Sequence, residues 1–457
     1  MESQNFVPCK NDEPVILTNS GHPIKRKDID PDALKILFRL DRQGFIACLC
    51  GGAVRDLMLG RKPKDFDIVT DARPGQIKKR FANVYVIGRR FRLAHVHFEG
   101  GKIIEVATFR KDLKPDEEQA FVAEEDTHAG LGVPADAGVR AKEPAPAAVL
   151  ARSLLNTRLS AAEADPQAKP GAPAADIYGT PREDAFRRDV TINALLYDFT
   201  TDSIIDYVGG LEDLARRKIR IIGDPEERLV EDPVRVWRAI RHAARLGFDI
   251  EETTERAIQS HGHLLASCAG SRLYEEFNKD LAYETRPVIE ALRKRGILRH
   301  ILGRVGEDYE ADAGLFRRLE TFLDIIDRTS SATFHLSLEE MYALFFWPWM
   351  EPLFADTAED MAKILADAFV NARTQMIVPK SLRANVVQIM IIVGAMRRAL
   401  GTGHMRWALK RRAHYAQASK MCIMIEKGRP PEGEESFDSM LQAAFPSAWR
   451  PRRRRAG

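Results

Sequence analysis

Asp65 and Asp67 stand one residue apart, nine positions after the run Gly51-Gly52-Ala53-Val54-Arg55-Asp56. Two carboxylates aimed the same way repel each other unless cations lie between them. Mg2+ suits such a pair, because it is held by one or two carboxylates together with substrate phosphates. The two glycines let backbone N–H groups approach a ligand with no Cβ in the way. Arg55 adds a planar, permanently charged fork for phosphate oxygens. A metal-holding pair beside a phosphate-approaching turn points to transfer of a nucleotidyl group from a nucleoside triphosphate.

The flanking sequence supplies elements that would position these groups. Phe45-Ile46-Ala47-Cys48-Leu49-Cys50 reads as a short buried strand running into the glycines. Val54 to Leu59 reads as the first turns of a helix, whose N-terminus favours anions. Lys64 to Val69 reads as the next strand. Alternation along it puts Asp65 and Asp67 on one face and sends Phe66 and Ile68 into the core. Glu105 is a third candidate carboxylate. It lies in the β-rich run Lys102 to Arg110, after the turn signal Glu99-Gly100-Gly101. A neighbouring strand would bring it beside the aspartates. The trio then fits a two-metal pattern, with ions roughly 3.5–4 Å apart at the attacking and leaving oxygens.

This stretch resembles the signature of the class II nucleotidyltransferases, the superfamily of bacterial poly(A) polymerases and tRNA CCA-adding enzymes. Further blocks follow in the family's order. Arg187-Arg188-Asp189-Val190-Thr191-Ile192-Asn193 resembles the block that handles triphosphate and ribose, with Val190 in place of the usual Phe. Asp206 to Leu214 resembles the join between head and neck. Glu231-Asp232-Pro233-Val234-Arg235 resembles the block facing the incoming base, continued by Arg238 and Arg241. Gly88-Arg89-Arg90-Phe91-Arg92-Leu93-Ala94-His95-Val96 is similar to the poly(A) polymerase form of its segment. So are the run from Asp176 to Ala185 and Ser271 to Phe277. The resemblance implies that Gly51, Gly52, Arg55 and Arg188 serve the triphosphate end, Asp189 the ribose, and Asp232, Arg235 and Arg238 the base, with Asn193 also nucleotide-binding.

The last block also makes local sense. Asp232-Pro233 is an N-cap followed by Pro at the first helical position. Arg235, Arg238 and Arg241 recur at helical spacing, while Val234, Trp237, Ile240 and Ala244 supply apolar faces.

The 457 residues suggest roughly two to four domains. The net charge is only +3, so nucleic-acid binding must come from local patches. Two stand out: Arg397 to Lys420, with Trp407 and Tyr415 interleaved, and the tail Arg450 to Arg455. Five cysteines without metal-type spacing suit a reducing cytoplasm. His261-Gly262-His263 reads as a loop. No His-Asp dipeptide occurs, which argues against an HD-type phosphohydrolase domain. Met1 to Lys10 has no apolar signal region. Val386 to Met396 is too short and interrupted to span a bilayer, and reads as a buried helix. No membrane association is expected.

The expected fold class is α+β: a nucleotidyltransferase head with a small β-sheet flanked by helices, followed by an all-α neck and body. The expected boundaries are a loose extension at 1–28 and a head at 29–200. The neck and nucleotide-binding helices span 201–285, a helical RNA-binding body 286–427 and a flexible basic tail 428–457. An Ala-, Pro- and Gly-rich stretch at 112–175 reads as a disordered insertion in the head. Asp30-Pro31 should open a helix through about Arg42, and Ser337 should cap one with Glu340 as its partner. The Phe345 to Trp349 cluster reads as core. The expected activity is template-independent addition of AMP from ATP to RNA 3′ ends, in mRNA or other RNA, by a Mg2+-dependent monomer. The resemblance implies a link to RNA decay. The competing readings are a tRNA CCA- or A-adding enzyme and an inactive RNA-binding protein on the same scaffold.

Overall fold

The computed structural model describes residues 13–88, 93–111, 177–330, 335–355, 360–431 and 435–444. The expected insertion at 112–175 and the basic tail from 445 onward lie outside the described residues, as do Arg89 to Arg92. The chain forms two compact units. The first holds residues 1–225 with 249–254, and the second holds 226–248 with 255–457.

The first unit is built on an eight-stranded sheet in the order β1-β8-β7-β2-β3-β6-β5-β4. In chain order its elements are β1 (Val15–Thr18), α1 (Pro31–Asp41), β2 (Ala47–Cys50), α2 (Gly52–Met58), β3 (Asp67–Thr70), α3 (Pro74–Arg80), β4 (Val84–Ile87), β5 (Leu93–His97) and β6 (Ile103–Thr108). Then come α4 (Pro181–Phe186), β7 (Leu196–Asp198), β8 (Ser203–Asp206), α5 (Gly210–Arg216) and β9 (Lys218–Ile219), which pairs in parallel with β10 (Asp249–Ile250). All pairings in the large sheet are antiparallel except β3 with β6. Asp30 caps α1 as expected, accepting from the N–H groups of Asp32 at 2.9 Å and Ala33 at 3.3 Å.

Three expectations are corrected here. The loose extension to residue 28 holds an ordered strand: β1 lies along β8, from Val15 opposite Asp206 to Thr18 opposite Ser203. Its partner is distant in sequence, so no local pattern announces the pairing. The head continues past residue 200 to Pro225. The reason is the β7–β8 hairpin together with Asp206, which accepts from the N–H groups of Val208, Gly209, Gly210 and Leu211 and so ties α5 to the sheet. Finally, β3 begins at Asp67 rather than Lys64, so Asp65 and Phe66 precede the strand.

The second unit is helical. It runs through α6 (Pro225–Glu231, of which Pro225 belongs to the first unit), α7 (Val234–Leu246), α8 (Glu252–His261, whose first turn belongs to the first unit), α9 (Gly270–Leu281), α10 (Thr285–Lys294), α11 (Leu298–Leu302) and α12 (Arg304–Ala311). It continues with α13 (Ala313–Ser330), α14 (Leu338–Met350), α15 (Met361–Asn371), α16 (Lys380–Thr402), α17 (Tyr415–Lys427) and α18 (Phe437–Ala444). Ser337 and Glu340 cap α14 reciprocally. Phe345, Phe346 and Trp347 are buried, as a core cluster should be, while Trp349 is half-buried and donates its indole N–H to Asp308 at 2.8 Å. Helix α16 is long and apolar enough to cross a membrane. Here Val386, Ile389, Met390, Ile392, Val393 and Met396 are buried in the unit's core, against α14, α15 and α17. The loop expected at His261-Gly262-His263 is helical instead: His261 closes α8 and is bonded to Glu226, and Gly262–Ser267 continues as a 3-10 turn.

Candidate active site

Strand β2 ends at Cys50, directly opposite Asp67 on β3. Gly51 then turns the chain into α2 with φ +71°, a conformation side chains rarely adopt. A Cβ there would lie 3.6 Å from Asp67 Oδ2 and 3.7 Å from Arg188 Nη1. The turn therefore looks straight onto a carboxylate and a guanidinium. Because β3 and β6 are parallel neighbours with Ile68 opposite Val106, Glu105 comes up beside Asp67 on the same face. A cleft of about 160 Å³ opens there, lined by Cys50, Asp67, Leu93, Glu105 and Arg188 among others.

The carboxylates are electrostatically crowded. Burial pushes the Asp67 carboxyl up to about 6, helped by the charges of Glu105 and Asp65 and opposed by Arg188. Glu105 also meets His95 on β5, its register partner, with Nε2 3.5 Å from Oε1. Among the described residues, no three His, Cys, Asp or Glu side chains close into a cage of their own. Asp65 is exposed just before the strand, close enough for its charge to act on Asp67. The donor set still fits Mg2+. That ion takes hard carboxylate oxygens, keeps several waters and shares its shell with substrate phosphates, so it needs no all-protein cage. A cation would also relieve the repulsion that disfavours the Asp67 charge. Burial pushes the Cys50 thiol up to about 11, so it contributes bulk to the wall rather than a nucleophile.

The cationic side of the cleft is held by residues distant in sequence. Arg55 on α2 donates Nη1–H to Asn193 Oδ1 at 2.8 Å and is braced by Asp56 at 2.7 Å. Arg188 donates Nε–H and Nη2–H to Asp184 Oδ2, at 3.1 and 2.9 Å, and Nη1–H to the Asn193 carbonyl at 3.4 Å. Arg187 binds the other Asp184 oxygen at 2.9 and 2.6 Å. Asp184 is fully buried. Burial would raise its pKa, but Arg188 and Arg187 outweigh burial and hold it below the ordinary carboxylate value. The sequence reading missed this residue. Its signal is the Thr180/Glu183 capping box, which starts α4 so that Asp184 lies three and four positions before the two arginines. Asp189 is half-buried, and its backbone carbonyl accepts from Ile222 at 3.2 Å. Val190 is fully buried and bridges to Ile221, an apolar place any large aliphatic can fill.

The base-facing candidates lie in the second unit. Pro233 rather than Asp232 sits at the cap position of α7, and Asp232 Oδ1 accepts from the Val234 N–H at 3.2 Å. Asp232 is also paired with Arg272 on α9 at 2.6 Å. Arg235 is buried and donates to the Arg228 carbonyl at 3.1 Å and to Glu231 at 3.4 Å. Arg238 is half-buried on the same helix. Arg241 differs from the expected stripe. It is buried and bonded to Glu276 and Asp280, so it braces α7 against α9.

A mixed sheet carrying two neighbouring carboxylates, with a glycine turn and the anchored Arg188 facing them, is the arrangement of a class II nucleotidyltransferase, and the protein is an enzyme of that kind. Residues 47–220 match the family model described as the Poly A polymerase head domain, and 247–305 match the "Probable RNA and SrmB- binding site of polymerase A". The chain is 34% identical to Poly(A) polymerase I of Salmonella typhimurium over 368 residues, which cover 79% of this chain and 70% of the relative. It belongs to the poly(A) polymerase family. A CCA-adding enzyme of Bacillus pumilus is 32% identical over a shorter 252 residues, 54% of this chain and 48% of that protein. The fold is shared with the Bacillus stearothermophilus CCA-adding enzyme in complex with CTP, at TM-score 0.55 and 22% identity over 92% of this chain and 83% of that one.

Proposed function

We propose that this protein adds AMP from ATP to RNA 3′ ends without a template and releases pyrophosphate. The observation that carries the chemistry is the cleft in which Asp67 and Glu105 face Gly51 and Arg188. The choice of poly(A) addition over tRNA end repair rests on the longer match to Poly(A) polymerase I than to CCA-adding enzymes.

Asp67 and Asp65, with Glu105 beside them, would hold Mg2+. Bound there, such ions neutralise phosphate charge and favour ionisation of the RNA 3′-hydroxyl. The chain's own residues do the rest. Gly51 and Gly52 leave room for the triphosphate. Arg55 and Arg188 bind its oxygens in orientations set by Asn193 and Asp184. Asp189 accepts from the ribose. The RNA 3′-oxygen bonds to the α-phosphorus of ATP, the bond to pyrophosphate breaks in line, and the hydroxyl proton passes to solvent.

The test is primer extension with Mg2+ on a generic RNA oligonucleotide and on a tRNA lacking its terminal CCA, each with ATP alone and with CTP plus ATP. Long ladders on the generic RNA with ATP alone are expected. Addition confined to the tRNA and stopping at a fixed length would overturn the reading.

A further inference from the structure

Among the described residues, one face of the sheet stays open beyond the catalytic cleft. Register carries it outward: Asp67 lies beside Glu105, Glu105 opposite His95, and His95 opposite Tyr85 on the edge strand β4. The opposite face is closed, since Val84, Ala94, Val96, Ile104, Val106 and Ile68 are all buried. On the open face Tyr85 is 62% exposed, Ile87 49% and Ile103 46%, which is unusual for large apolar side chains on a sheet. Tyr85 packs edge-on against His97 with centroids 4.8 Å apart, so its ring is held in place. Three strand spacings separate Asp67 from Tyr85, roughly 14 Å at about 4.8 Å each.

We infer that this strip, Tyr85 with Ile87, His97 and Ile103, is the platform on which the last nucleotides of the RNA primer stack as its 3′ end enters the cleft. The inference rests on the proposed function. It commits to single-stranded RNA because the strip is continuous with the cleft along one sheet face. Its makeup also fits: an aromatic ring and aliphatic side chains receive bases of any identity while the phosphates face solvent. An enzyme that extends whatever 3′ end it has just made needs contacts indifferent to sequence.

The experiment measures KM for an oligoadenylate primer and KM for ATP separately, together with binding of a labelled oligoadenylate to the full chain. Tyr85→Ala should raise the RNA KM and the dissociation constant about tenfold and leave the ATP KM unchanged. Tyr85→Phe should restore RNA binding, because stacking uses the ring and not the hydroxyl. Tyr85 is largely exposed, so the substitution leaves the core intact. Unchanged RNA parameters in Tyr85→Ala, with a wild type that extends RNA, would overturn the inference and leave the proposed function standing. A change in oligomeric state in place of a change in RNA affinity would also overturn it, since the face would then be a contact between copies. A wild type that extends no RNA would sink the proposed function itself.

Discussion

Arg55 donates Nη1–H to Oδ1 of Asn193 at 2.8 Å, across 138 positions of sequence. The bond ties the helix after the glycine turn to the block that carries Arg188. It is short and partly shielded, and it fixes a guanidinium fork that would otherwise sample many rotamers. Asn193→Ala should therefore release Arg55 and raise the KM for ATP several-fold. The stability cost should be about 1.5–3 kcal/mol, since the lost bond engages a charged group. Steady-state kinetics and urea melts check both.

Asp184 is the second anchor. It accepts four guanidinium N–H bonds from Arg187 and Arg188 with no exposure to solvent. Asp184→Ala leaves two arginine charges without their partner and should destabilise the chain by about 3–5 kcal/mol. Asp184→Asn keeps the shape and should fold better while still impairing ATP binding. A variant with wild-type melting and wild-type KM would show that Arg188 is held by other means.

Asp67 should trade stability against function. Its charge is disfavoured by burial and by Glu105 and Asp65. Asp67→Asn should abolish AMP incorporation, yet in a chelator it should melt no lower than the wild type and by a few degrees higher. Scanning calorimetry in EDTA beside a pyrophosphate-release assay would decide. Retained activity in this variant would sink the mechanism.

The helical unit makes a pH prediction. Burial works against the Glu276 charge, but Arg241, then Lys279 and Arg238, outweigh it and pull the carboxyl from 4.5 to about 2. A depressed carboxylate stabilises the fold above its unfolded value, and that contribution disappears as protons bind. Stability from this group should therefore be complete above about 4.5 and fall progressively toward pH 2, by on the order of 2–3 kcal/mol. Glu276→Gln should be less stable at neutral pH and should flatten that part of the acid limb, as read by denaturant midpoints against pH.

Parts of this protein are legible in the chain itself. The strand into Gly51-Gly52, the aspartate pair and the caps at Asp30 and Ser337 are local features. Each depends on residues within a few positions of one another; the strand and the caps lie where their patterns point, while of the two aspartates only Asp67 is on the strand. Strand β1 is different. Val15-Ile16-Leu17-Thr18 can pair with any open edge, and its partner β8, itself paired with β7, lies about 190 residues away in the sequence. The head boundary moved for the same reason. Arg241 shows a third case: arginines at helical spacing look alike in sequence, but Glu276 and Asp280 on α9 turn this one into a buried brace.

The sequence by itself determined which groups are candidates for the reaction, because their chemistry lies in residue type and in period-two or helical spacing. Only the tertiary structure decided which groups work together. Glu105 reaches Asp67 because β3 and β6 are parallel neighbours, Asp184 holds Arg188 because α4 packs behind the cleft wall, and Tyr85 joins that face through register across β5. Pairing between strands and burial of a carboxylate are non-local. They depend on which surfaces the folded chain removes from water, and no window along the sequence contains that information.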